Sequence, residues 1–195
     1  AAGVLMALVA TVLLLRKAVL VDNHWAMLAY AIFGLGMLAC MLSSTVYHFV
    51  QEPERKAKWR HLDHASIYLL IAASYSPFTL ILLREEHFWG WLLFGLVWII
   101  ALVGIAVSFG ELKKNSHLKT ASYVFMGLVV LIAFKPLIET SNEKNCTEVI
   151  GWLIAGGVFY ITGAIIYATA KREFVHAIFH LFVLFGLASH IIGAG

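Results

Sequence analysis

Three histidines in this chain have the residue type and spacing of a transition-metal site. His176 and His180 are four residues apart, so both imidazole rings project from one face of a helix. His48, from a different helix, would complete the three-histidine set of a catalytic zinc, which leaves a fourth position for water. Such a zinc lowers the pKa of its water to about 7 and so supplies hydroxide at neutral pH. We therefore predict a zinc site formed by His48, His176 and His180.

Two further polar residues could work beside that metal. Asp63 could hold the water or act as a general base, since carboxylates commonly do so next to such metals. Ser44 is four residues before His48 and shares its helix face, where the hydroxyl could orient the water or a substrate carbonyl. Asp63 and Ser44 are therefore the predicted catalytic residues.

Each of these residues also has an ordinary structural explanation when it is taken alone. Two histidines at this spacing arise by chance on a helix, and the glutamate of the HExxH motif is absent, which excludes that class of peptidase. His48 alone fits a hydrogen-bonded histidine at a helix interface. Asp63 alone fits a cap at a helix N-terminus, and Ser44 alone fits a bond to its own backbone. Their predicted positions at one depth favour the metal site over these explanations.

The composition places these residues in a membrane protein. Apolar residues make up 62% of the chain and charged residues 13%, with a mean hydropathy of +0.88. A soluble domain has about 25% charged residues, and a bilayer core needs about 20 apolar residues per helix. Charge and turn clusters divide the chain into seven segments of that size: residues 1–20, 26–50, 61–83, 88–109, 118–138, 148–170 and 173–194. The sequence predicts an all-α integral membrane bundle of seven transmembrane helices, in one domain over residues 1–195.

The basic residues predict the orientation, because cytoplasmic loops carry an excess of lysine and arginine. The loops after the second, fourth and sixth spans hold nine of these residues and the opposite side holds five. This predicts a cell-membrane protein with a cytoplasmic N-terminus and an external C-terminus. His48, Asp63, His176 and His180 then lie within about 5–10 Å of the cytoplasmic boundary, at a rise of about 1.5 Å per residue. Basic loops facing anionic lipid headgroups account for the net charge of +3, so no nucleic-acid partner is predicted.

Other residues are predicted to be structural. His190 is ten residues past His180, about 15 Å along the helix, and cannot share its metal. Gly151 and Ala155, or Ala164 and Ala168, have a spacing that permits close helix packing. Pro77 is predicted to kink the third span. Four histidines fall in loops or at span ends and are predicted to be solvated: His24, His61, His87 and His117.

Three runs of residues resemble one known family. They are STVYH at 44–48, HLDHASIYLL at 61–70 with SYSPF at 74–78, and HAIFHLFV at 176–183. Over essentially the whole chain they are similar to the hemolysin III family, the bacterial branch of the progestin and adiponectin receptor group, which more distantly resembles alkaline ceramidases. The resemblance implies an N-terminus inside and zinc held by three histidines, matched here by His48, His176 and His180. Ser44 and Asp63 match the family's two other polar positions near the metal.

The resemblance and the predicted site favour a zinc-dependent lipid hydrolase. Eukaryotic relatives are linked to hydrolysis of the ceramide amide bond, and the bacterial branch is connected with haemolysis and membrane homeostasis. In the leading hypothesis, Asp63 or the zinc-bound hydroxide attacks the amide carbonyl of a ceramide-like lipid drawn from the inner leaflet. Two alternatives stay open at this point: a non-enzymatic membrane sensor or receptor whose zinc is structural, and a haemolysin-type membrane-active protein. The sequence does not indicate an oligomeric state.

Overall fold

The computed structural model describes residues 2–86, 88–109, 116–169 and 174–195, but not the side chains of residues 116–117 and 174–177. Within this part of the chain the regular structure is helical and contains no strand, which confirms the all-α prediction. The α-helices are α1 (Ala2–Leu20), α2 (His24–Phe49), α3 (Pro53–Pro77), α4 (Trp89–Phe109), α5 (Ser116–Leu128), α6 (Phe134–Glu143), α7 (Glu148–Thr169) and α8 (Phe174–Ala194).

A short polar turn separates α1 from α2. Asp22 adopts a left-handed conformation with a φ of 50°, which aspartate tolerates better than most residues. The side chain of Asn23 then accepts a hydrogen bond of 3.0 Å from the amide of Ala26 and so caps the N-terminus of α2. The end of α1 and the start of α2 therefore lie within a few residues of the polar break that the sequence shows here.

We call each continuous helical stretch a rod, including any π-helical or 3₁₀ segment within it. The third rod, which is α3 with the turn that follows it, is longer than the sequence predicts. It begins at Pro53, eight residues before the predicted start at residue 61, because the charged residues before the apolar stretch are themselves helical. Lysine, arginine and glutamate are good helix formers outside the hydrocarbon core. At the other end Pro77, which has no amide hydrogen to donate, is followed by a π-helical turn over Phe78–Leu82. The continuous rod spans Pro53–Leu82, or 30 residues.

The fifth rod is interrupted in a way that hydropathy alone does not predict. A 3₁₀ segment over Val129–Ala133 joins α5 to α6, and the rod as a whole covers Leu118–Glu143. Pro136 lies in the first turn of α6, where a missing backbone amide hydrogen costs little. Counting α3 with its π-helical turn as one rod, and α5 with α6 as another, the eight α-helices make seven rods.

Six of these rods, within the described residues, are long and apolar enough to cross a membrane: Ala2–Leu20, His24–Phe49, Pro53–Leu82, Trp89–Phe109, Leu118–Glu143 and Glu148–Thr169. The seventh is α8, whose described apolar stretch, Ile178–Ala194, is shorter. The chain is thus a multi-pass membrane protein whose described residues form seven helical rods, in agreement with the predicted bundle of seven helices.

The chain divides into two compact units, and each is considered by itself. The first unit, Ala1–Lys113, contains α1 to α4, with α2 packed on both α1 and α3, and α3 packed on α4. The second unit, Lys114–Gly195, contains α5 to α8, and its closest pair is α7 with α8. The organisation of residues 1–195 as one domain stays a prediction.

Candidate metal centre

Three of the five predicted site residues lie at one end of the antiparallel pair α2 and α3. Ser44 and His48 are one turn apart near the C-terminus of α2, which ends at Phe49. Asp63 lies on α3, ten residues after its first residue, Pro53. Because only three residues separate the two helices, this end of α2 must pack beside the first turns of α3. The polar side chains of both helices are therefore brought to the same end of the first unit.

Ser44 and Asp63 form a direct polar pair across this interface. The Ser44 hydroxyl donates a hydrogen bond to the Asp63 carboxylate, and both side chains are half-buried. A carboxylate placed in a largely apolar interface needs such a donor, since desolvation of an unpaired charge is costly. Here Ser44 holds the carboxylate of Asp63 toward α2, the helix that carries His48.

A second pair of hydroxyls lies directly behind the first, and sequence analysis missed it. The Ser43 and Ser66 oxygens are 2.7 Å apart and both residues are buried. Ser66 also donates to the backbone carbonyl of Asp63 at 2.7 Å, and its side chain hydrogen-bonds to the buried thiol of Cys40. Ser66 thus links α2 to the turn of α3 that carries Asp63. The signal in the sequence was the position of Ser66, three residues after Asp63, but its partners depend on helix register.

His48 lies at the outer end of the α2–α3 pair, and its side chain is exposed. We call this end, formed by Tyr47, His48 and Lys56, the mouth of the candidate centre. The neighbouring Tyr47 ring lies edge-to-face with the imidazole, with 5.1 Å between the ring centroids. Lys56, from the first turn of α3, places its Nζ 5.8 Å from the centre of the Tyr47 ring. Its ammonium also acts electrostatically on His48. A cation therefore sits beside the predicted metal ligand, on the side that leads away from the apolar core.

The other two predicted ligands belong to the second unit. His180 lies on α8 and is half-buried, 5.7 Å from the ring of Phe179 between centroids. His176 lies on the same helix, but its side chain is outside the described residues. Among the side chains that are described, neither unit by itself contains three His, Cys, Asp or Glu residues grouped closely enough for a metal ion. The joint metal site of His48, His176 and His180 stays a prediction.

His61 is not solvated as the sequence analysis predicted. Its Nδ1 lies 2.7 Å from the carbonyl oxygen of Ser108 at the end of α4, and its ring stacks on Phe109. Because a carbonyl only accepts, Nδ1 carries the proton and donates. The His61 imidazole therefore projects from α3 toward α4, whereas the Asp63 carboxylate projects from the opposite face toward α2. His24 is exposed, as predicted, and the side chains of His87 and His117 lie outside the described residues.

Comparison with known proteins gives one consistent result. The model of the family described as "Haemolysin-III related" matches residues 1–191. The chain is similar to "Hemolysin-3" of Bacillus cereus, with 35% identity over 186 residues that cover 95% of this chain and 82% of the relative. It is 36% identical to the "Hemolysin-3 homolog" of Bacillus subtilis over 187 residues, covering 96% and 85%. It is also 30% identical over 177 residues to the human "Monocyte to macrophage differentiation factor", covering 87% and 70%.

Proposed function

Because the chain belongs to the haemolysin-III related family of integral membrane proteins, we propose that it is a zinc-dependent hydrolase of an amide bond in a ceramide-like membrane lipid. One observation carries the proposal: the Ser44 hydroxyl and the Asp63 carboxylate are hydrogen-bonded at the end of the helix pair that carries His48. A carboxylate can move the proton in hydrolysis of an acyl bond, and a hydroxyl bonded to it can hold it in position.

The residues fit a catalytic zinc by their chemistry. His48, His176 and His180 would hold the ion, since zinc accepts imidazole nitrogen and catalytic sites use three protein ligands. Asp63 is held by Ser44 and by the backbone link to Ser66, so its carboxylate would serve as a general base and not as one of the three ligands. When bound, the zinc would polarise the substrate carbonyl and lower the pKa of a water molecule.

Asp63 would move the proton in this reaction. Its carboxylate takes a proton from the attacking water as the water oxygen forms a bond to the amide carbon. The carbon–nitrogen bond then breaks, and Asp63 returns the proton to the departing nitrogen, so that a fatty acid and an amine leave. Ser44 orients the carboxylate through its hydrogen bond. The apolar spans exclude bulk water, which strengthens these electrostatic interactions.

The predicted depth suits a lipid and not a water-soluble substrate. With a cytoplasmic N-terminus, Asp63 lies just below the headgroups of the inner leaflet, where the polar linkages of lipids are found. A lipid could therefore present its amide to Asp63 without leaving the bilayer. Such a site would support a role in membrane homeostasis.

Turnover of a short-chain ceramide by the purified full chain in lipid vesicles tests the proposal. We expect Asp63→Asn to lower turnover by about 100-fold or more, since general acid–base groups contribute about 10²–10⁴-fold. Asp22→Asn is the matched control, because Asp22 is exposed in the turn before α2 and asparagine tolerates its left-handed conformation. His180→Ala should also abolish turnover. Unchanged turnover in folded Asp63→Asn and His180→Ala protein would refute the hydrolase.

The name of the Bacillus cereus relative, "Hemolysin-3", supports a second candidate, a membrane-active protein that permeabilises bilayers. Release of an encapsulated dye from vesicles separates the two functions. Lysis needs no imidazole ligands, so dye release that persists in a His48→Ala, His180→Ala double variant would favour the lytic protein. Intact vesicles with wild-type protein at catalytic concentrations would exclude it.

A further inference from the structure

The first turns of α3 carry a dense group of basic residues. Four of the six positions from 55 to 60 are lysine or arginine: Arg55, Lys56, Lys58 and Arg60. The rod Pro53–Leu82 has 30 residues and is about 45 Å long at about 1.5 Å per residue, whereas the hydrocarbon core of a bilayer is about 30 Å thick. The charged end must therefore extend into the headgroup layer, above the candidate centre.

The four cations divide between two faces of α3. Lys56, Arg60 and Asp63 follow the i, i+4, i+7 pattern, so they lie on one face. Asp63 is less than one turn below Arg60 and two turns below Lys56. Arg55 and Lys58 fall with Leu62 on a different face, and Leu62 is 41% exposed, as expected of a residue that faces lipid chains. Only the first pair continues the face of the candidate centre toward the headgroups.

Contacts of Lys56 place its charge over the mouth. Its Nζ lies over the ring of Tyr47, 5.8 Å from the ring centroid. Lys56 therefore leans from α3 toward the end of α2. Arg55, in contrast, has a carboxylate partner in Glu52, at 2.8 Å.

An anion would complement this mouth. Lys56 and Arg60 bring two positive charges to the face of Asp63, which already accepts a hydrogen bond from Ser44. Glu52, four residues before Lys56, is paired with Arg55. Charges at the edge of an apolar medium interact strongly, so a net positive mouth favours an anionic ligand. Building on the proposed hydrolase, we propose that its lipid carries an anionic phosphate headgroup, held between Lys56 and Arg60 with the linkage to be cleaved below it at Asp63.

Native mass spectrometry of the full chain with a lipid mixture tests this headgroup site. The probes are phosphatidylglycerol and phosphatidylcholine with identical acyl chains, supplied in equal amounts to the detergent-solubilised protein. We expect wild-type protein to retain phosphatidylglycerol in preference on the order of tenfold, since Lys56 and Arg60 would both interact favourably with the phosphate of the bound lipid. Lys56→Gln with Arg60→Gln should lower that preference to within about twofold of parity.

Two control variants separate a site from general attraction to anionic lipid. Arg55→Gln with Lys58→Gln removes the same charge from the same helix and depth but from the other face, and should keep the preference. Lys56→Arg with Arg60→Lys keeps both charges and should also keep it. A wild type without preference, or equal losses in the two glutamine pairs, would overturn the proposal. Release of the lipid by millimolar inorganic phosphate would also overturn it, by assigning the cations to a soluble anion.

Zinc content measured on the same samples keeps this proposal distinct from the hydrolase. Selective binding of phosphatidylglycerol by a wild type without zinc would refute the hydrolase and leave the headgroup site standing. Zinc-loaded protein without lipid preference would refute the headgroup site alone.

Discussion

Two antiparallel helix pairs in this protein are joined by different chemistry. In α2 with α3, hydroxyl and carboxylate side chains bridge the helices at the end that carries His48 and Asp63. In the α7–α8 pair, an aromatic or imidazole ring of each helix packs directly against a glycine of the other. A Cβ on Gly156 would collide with the His190 ring, and one on Gly186 would lie 2.7 Å from the Tyr160 ring. Hydrogen bonds thus orient the polar groups of one pair, whereas close ring packing fixes the register of the other.

The same contrast between directional hydrogen bonds and close packing occurs within the α2–α3 pair. Deeper along α2, Gly36 packs so closely on α3 that a Cβ there would collide with the side chain of Ala73. Toward the candidate centre, Ser43, Ser44 and Ser66 replace such close apolar contact with directional bonds. A hydrogen bond fixes where a side chain points, which close apolar packing does less well. The polar end is therefore the part suited to chemistry.

The largest effect is expected where a ring fills a glycine notch. Gly156→Ala would force the buried His190 ring to move. We expect it to lower the free energy of unfolding by about 1–3 kcal/mol, as overpacking does. Denaturation by sodium dodecyl sulfate in mixed micelles measures this. Gly151→Ala on the same helix is the control, because no described atom lies within 4 Å of a Cβ there. If Gly156→Ala and Gly151→Ala changed the free energy of unfolding equally, ring packing against Gly156 would not be what holds α7 and α8 together.

A smaller effect is expected at the hydroxyl bridge. Ser66→Ala removes the bond to Ser43 across the two helices, and interhelical hydrogen bonds in membranes contribute about 0.6 kcal/mol on average. Ser74→Ala is the control, since the Ser74 hydroxyl donates to the Ile71 carbonyl of its own helix. The same denaturation measurement should show a loss for Ser66→Ala and less change for Ser74→Ala. Lipid turnover in Ser66→Ala should fall too, because Ser66 supports the turn that carries Asp63.

The smallest effect is expected where a single imidazole ties α3 to α4. His61→Ala removes one hydrogen bond to the Ser108 carbonyl, in a half-buried position, and should lower the free energy of unfolding by less than the about 0.6 kcal/mol that an interhelical hydrogen bond in a membrane contributes on average. His24→Ala, at an exposed position, provides the comparison and should be nearly neutral. A His61→Ala protein as stable as His24→Ala would mean that the bond contributes nothing net.

Much of the fold follows from the sequence because lipid imposes simple rules. Seven apolar stretches, separated by charge clusters such as Arg84 to Glu86, predict seven spans, and the structure has seven rods. The predicted start of the third span, residue 61, was wrong, since α3 begins at Pro53. Charged residues can extend a helix beyond the bilayer, and hydropathy does not detect such an extension. The 3₁₀ break at Val129–Ala133 gives no signal either, since apolar residues continue through it.

The candidate centre was less predictable, since its contacts depend on the register between helices. The sequence placed Asp63 at the depth of His48 and Ser44 on the helix face of His48, and the structure brings Ser44 and Asp63 into hydrogen-bonding contact. It gave no sign that Ser66 joins Ser43, because a serine in a helix most often bonds its own backbone. Helix packing was predicted only in part: Ala164 is buried, whereas no described atom lies within 4 Å of a Cβ on Gly151, and the close approaches of α7 to α8 include Gly156 and Gly186.

Zinc content of the purified, detergent-solubilised protein tests the central claim most directly. Elemental analysis should find about one zinc per chain in the wild type, as expected of a site with three histidine ligands. His48→Ala and His180→Ala should each lose the zinc, while His24→Ala, which removes an exposed histidine, should keep it. Folded wild-type protein without metal, or His48→Ala and His180→Ala variants that both retain it, would contradict the account.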